Sequence, residues 1–212
     1  MINFKKINLI YNQKKVIEQL SLNIEKGDKV VILGKSGLGK SSLFYLLLGF
    51  IAEYKGEIQF NNIPVNQKTV WDIRKQIAFI DQDVSLGQGK AIDWIRSVFN
   101  FRINAEQAFP QKQMEELLEY FELNKDDLDK DTQELSGGER QRLAIITAIL
   151  LNRKVFLFDE ITSALDAHLK QKTVDFFTKN KEWTVIAISH DSVWLKNPKV
   201  KVFDLEAKTW QQ

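Results

Sequence analysis

The segment Gly34-Lys35-Ser36-Gly37-Leu38-Gly39-Lys40-Ser41 has the spacing G-x-x-x-x-G-K-[ST], which suits a polyphosphate. Its glycines let backbone amides curl around phosphate oxygens that side chains would keep away. Lys40 offers a cation to β- and γ-phosphates, and Ser41 offers a hydroxyl to Mg²⁺. A dinucleotide-type loop does not fit, because Gly37-Leu38-Gly39 is followed three places on by Ser42 and not by glycine. A glycine-rich turn that matches by chance is disfavoured by the context. Lys29–Leu33 (KVVIL) reads as a strand buried on both faces, and about Lys40–Phe50 as an apolar helix whose N-terminus attracts anions.

Two further segments carry chemistry. Val155-Phe156-Leu157-Phe158-Asp159-Glu160 is a buried-strand pattern that ends in two acids. At the carboxyl end of a parallel strand, Asp159 can position a metal and Glu160 can polarise an attacking water. The bland alternative, a solvated acidic turn, is common in isolation and much less so beside a phosphate loop. In Leu135-Ser136-Gly137-Gly138-Glu139-Arg140-Gln141-Arg142, a serine and two glycines precede a long amphipathic helix. That is a second helix N-terminus suited to an anion. One triphosphate rarely needs two such devices in one domain, so each is expected to serve a different face of a nucleotide held between two copies.

The elements that must position these groups follow from periodicity. Phe4–Tyr11 and Val16–Ile24 alternate like strands, Glu25-Lys26-Gly27-Asp28 is a turn, and Gly56–Val65 is a hairpin turning at Asn61-Asn62. Ile77–Ile80 is another buried strand. From about Ala91 to Asp131 the pattern turns helical, with Ile92, Ile95, Val98 and Phe99, then Met114, Leu117, Leu118 and Phe121, at helical spacing. Helix Glu139–Asn152, strand Val155–Phe158, helix Asp166–Lys179, strand Thr184–Ile188 and a final strand Val200–Leu205 complete the chain. This order predicts an α/β fold with a largely parallel sheet, an N-terminal antiparallel β-subdomain and a helical insert.

Composition narrows the chemistry. The chain has 212 residues, with 30 Lys+Arg against 28 Asp+Glu and a formal charge of +2. Such a balance gives no footprint for nucleic acid. Zero cysteines exclude disulfides, thiolate chemistry and Cys-based metal sites. The longest apolar runs, Leu43–Ala52 and Leu143–Leu151, fall short of the roughly 18–20 residues that cross a bilayer, and no secretory signal is visible. The length suggests one substantial domain, at roughly 150 residues per domain. A cytoplasmic location follows as an expectation, with any membrane work done through a separate subunit.

These segments together resemble the nucleotide-binding subunit of an ATP-binding cassette (ABC) transporter, with its motifs in the family's order over nearly the whole chain. The resemblance implies a P-loop NTPase fold that binds ATP and Mg²⁺. The phosphate loop would hold ATP through Gly34, Lys35, Ser36, Gly37, Leu38, Gly39, Lys40, Ser41 and Ser42. The signature LSGGE would contribute Ser136, Gly137 and Gly138 from a second copy. Tyr11 matches the aromatic residue that stacks on adenine, Gln82 the Q-loop glutamine, Asp166 the D-loop aspartate that communicates across the dimer, and His190 the switch histidine. Ser41, Gln82 and Asp159 would surround the metal, Glu160 would be the general base and His190 would stabilise the γ-phosphate. Outside this pattern Tyr11 reads as an ordinary strand tyrosine, Gln82 as a strand-end amide and His190 as a satisfied histidine. His168 has no counterpart and reads as a helix-surface residue.

The same resemblance implies a single ATPase domain over residues 1–212. Its core would be approximately 1–82 and 132–212, and its helical subdomain approximately 83–131. The partners would be a transmembrane permease subunit in a separate chain and a second or paralogous ATPase subunit, with no nucleic acid, at the cytoplasmic face of the cell membrane. Of Trp94, Phe99, Phe101 and Phe109, most would form the insert's own core and one or two a docking patch. Lys35, Ser42 and the polar segment Asp83–Lys90 depart from the commonest family pattern without removing a phosphate donor. DEITSALD (Asp159–Asp166) and the compact length further resemble small ATPase subunits of two-component bacterial exporters linked to iron or metal homeostasis, although amino-acid and lipoprotein systems carry similar variants. A non-transport ATPase of the same superfamily is the alternative; such proteins typically carry a second cassette, coiled-coil arms or zinc modules, for which 212 residues leave no room. A regulatory module that only binds nucleotide is disfavoured by Glu160 and His190, and an unrelated P-loop kinase or GTPase by LSGGE.

Overall fold

A computed structural model describes residues 1–11 and 13–211. Strands β1 (Ile2–Tyr11) and β2 (Lys14–Ile24) pair antiparallel and turn Ile2, Phe4, Leu9, Leu20, Leu22 and Ile24 to one face. β4 (Lys55–Phe60) lies on the other side of β1, and β5 (Ile63–Pro64) closes this sheet in the order β2-β1-β4-β5. The β4–β5 turn is Asn61-Asn62, both with positive φ (51° and 63°), the geometry that a two-residue hairpin demands and asparagine tolerates.

The second sheet holds β3 (Lys29–Leu33), β6 (Ile77–Ile80), β7 (Val155–Asp159), β8 (Thr184–Ile188), β9 (Lys201–Asp204) and β10 (Thr209–Gln211). Its order is β10-β9-β3-β8-β7-β6, parallel throughout except for β10 on β9. Lys201–Asp204 is thus not the final strand. Thr209–Gln211 is too short and too exposed to leave an apolar pattern, and is held through Trp210 against Phe203 at 5.1 Å.

Helix α1 (Lys40–Leu47) ends a turn earlier than its apolar run, because Gly49 takes φ +67° and sends Phe50 out to solvent. The short α2 (Val70–Arg74) precedes β6. α3 (Ala91–Asn100), α4 (Gln111–Tyr120) and a 3₁₀ turn (Lys125–Asp129) fall in the segment read as helical insert. α5 (Gly137–Leu150), α6 (Ala167–Lys179) and α7 (Ser192–Leu195) complete the set. α5 is not amphipathic as expected: Leu143 to Leu150 are all buried, since the helix lies between the parallel sheet and the insert. Within the insert, Phe99 is buried and meets Phe109 at 5.1 Å, Trp94 is half-buried, and Phe101 is 59% exposed.

One core lies between the two sheets around α1; the other joins the opposite face of the parallel sheet to α5, α6 and the insert. Phe177 on α6 is fully buried in the latter, with ring centroids 5.1 Å from Phe156, 4.7 Å from Phe158, 5.6 Å from Phe176 and 5.6 Å from Trp183. Phe177→Ala is expected to cost about 3–5 kcal/mol of stability, read from the urea unfolding midpoint. An unchanged midpoint would contradict this account of the core.

Candidate nucleotide site

The phosphate loop runs from the end of β3 into α1. Gly39 caps α1 with φ +84°, and a Cβ there would lie 2.6 Å from Val16 Cγ1, so glycine is required both by conformation and by the strand beneath it. Lys40 folds back over the loop, its Nζ donating to the carbonyls of Gly34 (2.7 Å) and Lys35 (3.1 Å). A cleft of about 640 Å³ opens here, within the usual range for small-molecule sites. Its wall includes Tyr11, Ser36, Gly37, Gly39, Lys40, Ser41, Ser42, Gln82, Asp159, Glu160 and His190.

Parallel register explains why residues so distant in sequence converge. Ile80 on β6 pairs with Phe158 on β7, and Asp159 pairs with Ile188 on β8. The chain therefore leaves three adjacent strands at one edge, carrying Gln82, Glu160 and His190 beside the loop, where open parallel sheets bind ligands.

Glu160 takes φ +50°, a left-handed conformation that only over-determined residues keep, and its N–H donates to Ile188 O at 2.9 Å. Burial raises its carboxyl pKa; His190 and Lys40 oppose this and the charge of Asp159 reinforces it. Asp159, 2% exposed, is likewise raised by burial, with the nearby Ser41 hydroxyl and Lys40 charge opposing this.

The donor set of Ser41, Asp159 and Gln82 is all oxygen and fits a hard cation. Among the described residues, no group of three His, Cys, Asp or Glu side chains could hold a metal alone. The site thus suits an ion such as Mg²⁺ that keeps waters and substrate oxygens in its shell.

Other expected residues lie elsewhere. Lys35 points away and pairs with Glu206 at 2.8 Å, and Leu38 packs with the core between the sheets; neither they nor Gly34 line the cleft. Ser136 to Gly138 also lie off this cleft. Ser136 caps α5, its Oγ accepting from Glu139 N–H (3.3 Å) while Glu139 Oε2 accepts from Ser136 N–H (2.7 Å), and the two glycines form the helix's first turn rather than precede it. Gly137 borders a separate cavity of about 590 Å³, with Gln82, Arg140 and Ser163. Asp166 caps α6 through Leu169 N–H at 2.9 Å and does not line the nucleotide cleft. His168 is exposed on α6, 3.1 Å from Glu122.

Gln141 escaped the sequence reading. It is 5% exposed, its Nε2 donates to Ser163 Oγ (3.0 Å) and Glu160 O (3.4 Å), and its Oε1 accepts from Ala164 N–H (3.1 Å). It ties α5 to the segment that follows Glu160. Its one signal is its place just after the signature, an amide between Arg140 and Arg142 in the polar first half of α5.

A family model described as ABC transporter matches residues 17–163. A putative export ATP-binding/permease protein of Rickettsia prowazekii (strain Madrid E) is 34% identical over 200 residues, covering 89% of this chain and 34% of that protein. The chain thus spans 34% of the length of that relative and of others it matches. The energy-coupling factor transporter ATP-binding protein EcfA1 of Mycoplasmopsis synoviae (strain 53) is 30% identical over 200 residues, 90% of this chain and 74% of the relative. Among solved structures, a dimeric post-hydrolysis state of the ATP-binding cassette MJ0796 bound to ADP and Pi superposes with TM-score 0.84 at 25% identity, covering 100% of this chain and 97% of that one. The cbiO1 protein from Clostridium perfringens, part of the ABC transporter complex cbiONQ, gives 0.76 at 26% identity, covering 96% and 83%. The names of these relatives lend no support to the narrower likeness to iron- or metal-linked exporters.

Proposed function

The chain belongs to the ABC transporter family as an ATP-binding cassette, and on that premise we propose that it hydrolyses ATP as a dimer to power a membrane permease held in a separate chain. The observation that carries the reading is the convergence of Gln82, Glu160 and His190 on the phosphate loop from three parallel strands in register.

Each group has a task in this reading. Tyr11, 67% exposed at the cleft, stacks on adenine. The loop amides and Lys40 hold the β- and γ-phosphates, with Lys40 exchanging its two carbonyl partners for phosphate oxygens. Mg²⁺, when bound by Ser41, Asp159 and Gln82, supplies charge neutralisation at those oxygens. Glu160 accepts a proton from the attacking water, and His190 hydrogen-bonds the γ-phosphate. Ser136 to Gly138 of a second copy close the far side with a helix N-terminus, and Asp166 lies near that junction. Closing and opening the dimer then moves the permease. Among the described residues no helix is long and apolar enough to cross a membrane. The cassette would work at the cytoplasmic face, with the insert (residues 83–131) and the exposed Phe101 toward the permease.

The test is affinity capture of the tagged chain from detergent-solubilised membranes of its host, with partners identified by mass spectrometry and ATPase rates measured with and without them. Recovery of a multi-span protein that changes the rate is the expected result. Recovery of soluble or nucleic-acid-associated proteins alone would transfer the same ATPase to a non-transport role.

A further inference from the structure

Tyr45 lies on α1 one turn beyond Ser41, so the two side chains share a helix face. That face looks at the ends of β7 and β6, which leave the sheet side by side, one with Asp159-Glu160 and the other with Asp81-Gln82. Tyr45 reaches the acid at the end of β6: its hydroxyl donates to Asp81 Oδ2 at 3.1 Å and lies 3.4 Å from Oδ1. Asp81 Oδ1 in turn accepts the backbone N–H of Gln82 at 2.8 Å. The Tyr45 ring is braced by edge-on contacts with Phe79 (6.2 Å, 90°) and Phe50 (6.2 Å, 64°).

We propose that Tyr45 and Asp81 form a positioning strut, in which the Tyr45 hydroxyl fixes the Asp81 carboxylate and the carboxylate fixes the backbone of Gln82, so that Gln82 is held ready for the metal. The inference deepens the reading above, because it rests on Gln82 as a metal ligand. Two observations favour a strut over a decorative surface bond. A hydrogen bond to a charged acceptor is among the stronger side-chain contacts, and a half-buried one is poorly replaced by water. The pair also spans two cavities: Tyr45 lines the nucleotide cleft, while Asp81 lines a separate groove of about 380 Å³ between β6 and helices α3 and α5. Tyr45 and Gln82 are thus linked through the two oxygens of one carboxylate.

Tyr45→Phe removes the hydroxyl and keeps the braced ring. ATP affinity is measured by fluorescence titration in EDTA and across a Mg²⁺ series, alongside the Mg²⁺ concentration for half-maximal hydrolysis. The variants are wild type, Tyr45→Phe, Asp81→Ala and the double substitution, with melting curves for each. Tyr45→Phe is expected to raise the half-maximal Mg²⁺ concentration about three- to tenfold, in both binding and turnover, with affinity in EDTA within about twofold of wild type. Asp81→Ala should do at least as much, and the double variant no more than Asp81→Ala, since both remove one connection. Asp81→Asn, which keeps the side-chain shape, serves if Asp81→Ala melts early and is expected to give an intermediate shift. Equal losses with and without Mg²⁺, additive effects, or a Mg²⁺ requirement unchanged in Tyr45→Phe would each overturn the strut. If wild type itself shows no Mg²⁺-dependent binding or turnover, the role of Gln82 falls first and the strut falls with it.

Discussion

Glu160→Gln is expected to lower ATP turnover about 10²–10⁴-fold at saturating ATP while ATP still binds. The substitution is nearly isosteric and leaves the backbone untouched, including the left-handed φ of +50° and the N–H bond to Ile188 O that hold residue 160 at the strand end. What it removes is the ability to take a proton. The native carboxyl is well suited to that role, because burial raises its pKa and so strengthens it as a base, while His190 and Lys40 keep it from rising further. The measurement pairs phosphate-release rates with nucleotide titration and gel filtration in ATP. A slowed enzyme that still closes should run as an ATP-bound dimer. Near-normal turnover would remove Glu160 from its role and shift the search for the base to another cleft residue.

The sequence was most legible where local backbone rules and chemistry coincide. The phosphate loop, the strand before it and the acids after Phe158 are each confined to a few consecutive residues, and the three-dimensional cleft gathers most of them. The Asn61-Asn62 hairpin was equally readable, because its turn chemistry is local. Tertiary contacts were not. Helix α5 reads as amphipathic until the insert covers its outer face, and β10 has no apolar pattern because its three exposed residues are held by backbone pairing with β9 and by Trp210 against Phe203. Gln141 and Tyr45 were invisible for a similar reason: each acts through partners about twenty to forty positions away, Ser163 and Asp81. The family pattern also presents Gly34, Lys35 and Leu38 as one set with Ser41, whereas the fold turns Lys35 to Glu206 and Leu38 into the core.

Gly138→Ala is the second large effect, expected to cost about 10²-fold in turnover without weakening nucleotide binding to the single chain. The steric part is local: a Cβ on Gly138 would lie 2.9 Å from the carbonyl oxygen of Ala164, a backbone atom that cannot swing aside. Gly137 differs, since its Cβ would meet only the Ala164 methyl at 3.6 Å. The electrostatic part is at the start of α5. Ser136 Oγ takes the Glu139 N–H, and the first helical bond runs from Arg140 N–H to Ser136 O, so the amides of Gly137 and Gly138 come before that bond and are oriented outward at the positive end of a helix. Neither glycine lines its own chain's nucleotide cleft, so binding by one chain should be unaffected. Closure of two chains around ATP would lose these donors as the altered turn moves off Ala164. In a Glu160→Gln background the contrast becomes a matter of size. The single variant should dimerise in ATP, and the variant carrying both substitutions should remain monomeric with ATP bound. Dimers of the double variant, or wild-type turnover in Gly138→Ala alone, would show that the second helix N-terminus does not serve the nucleotide.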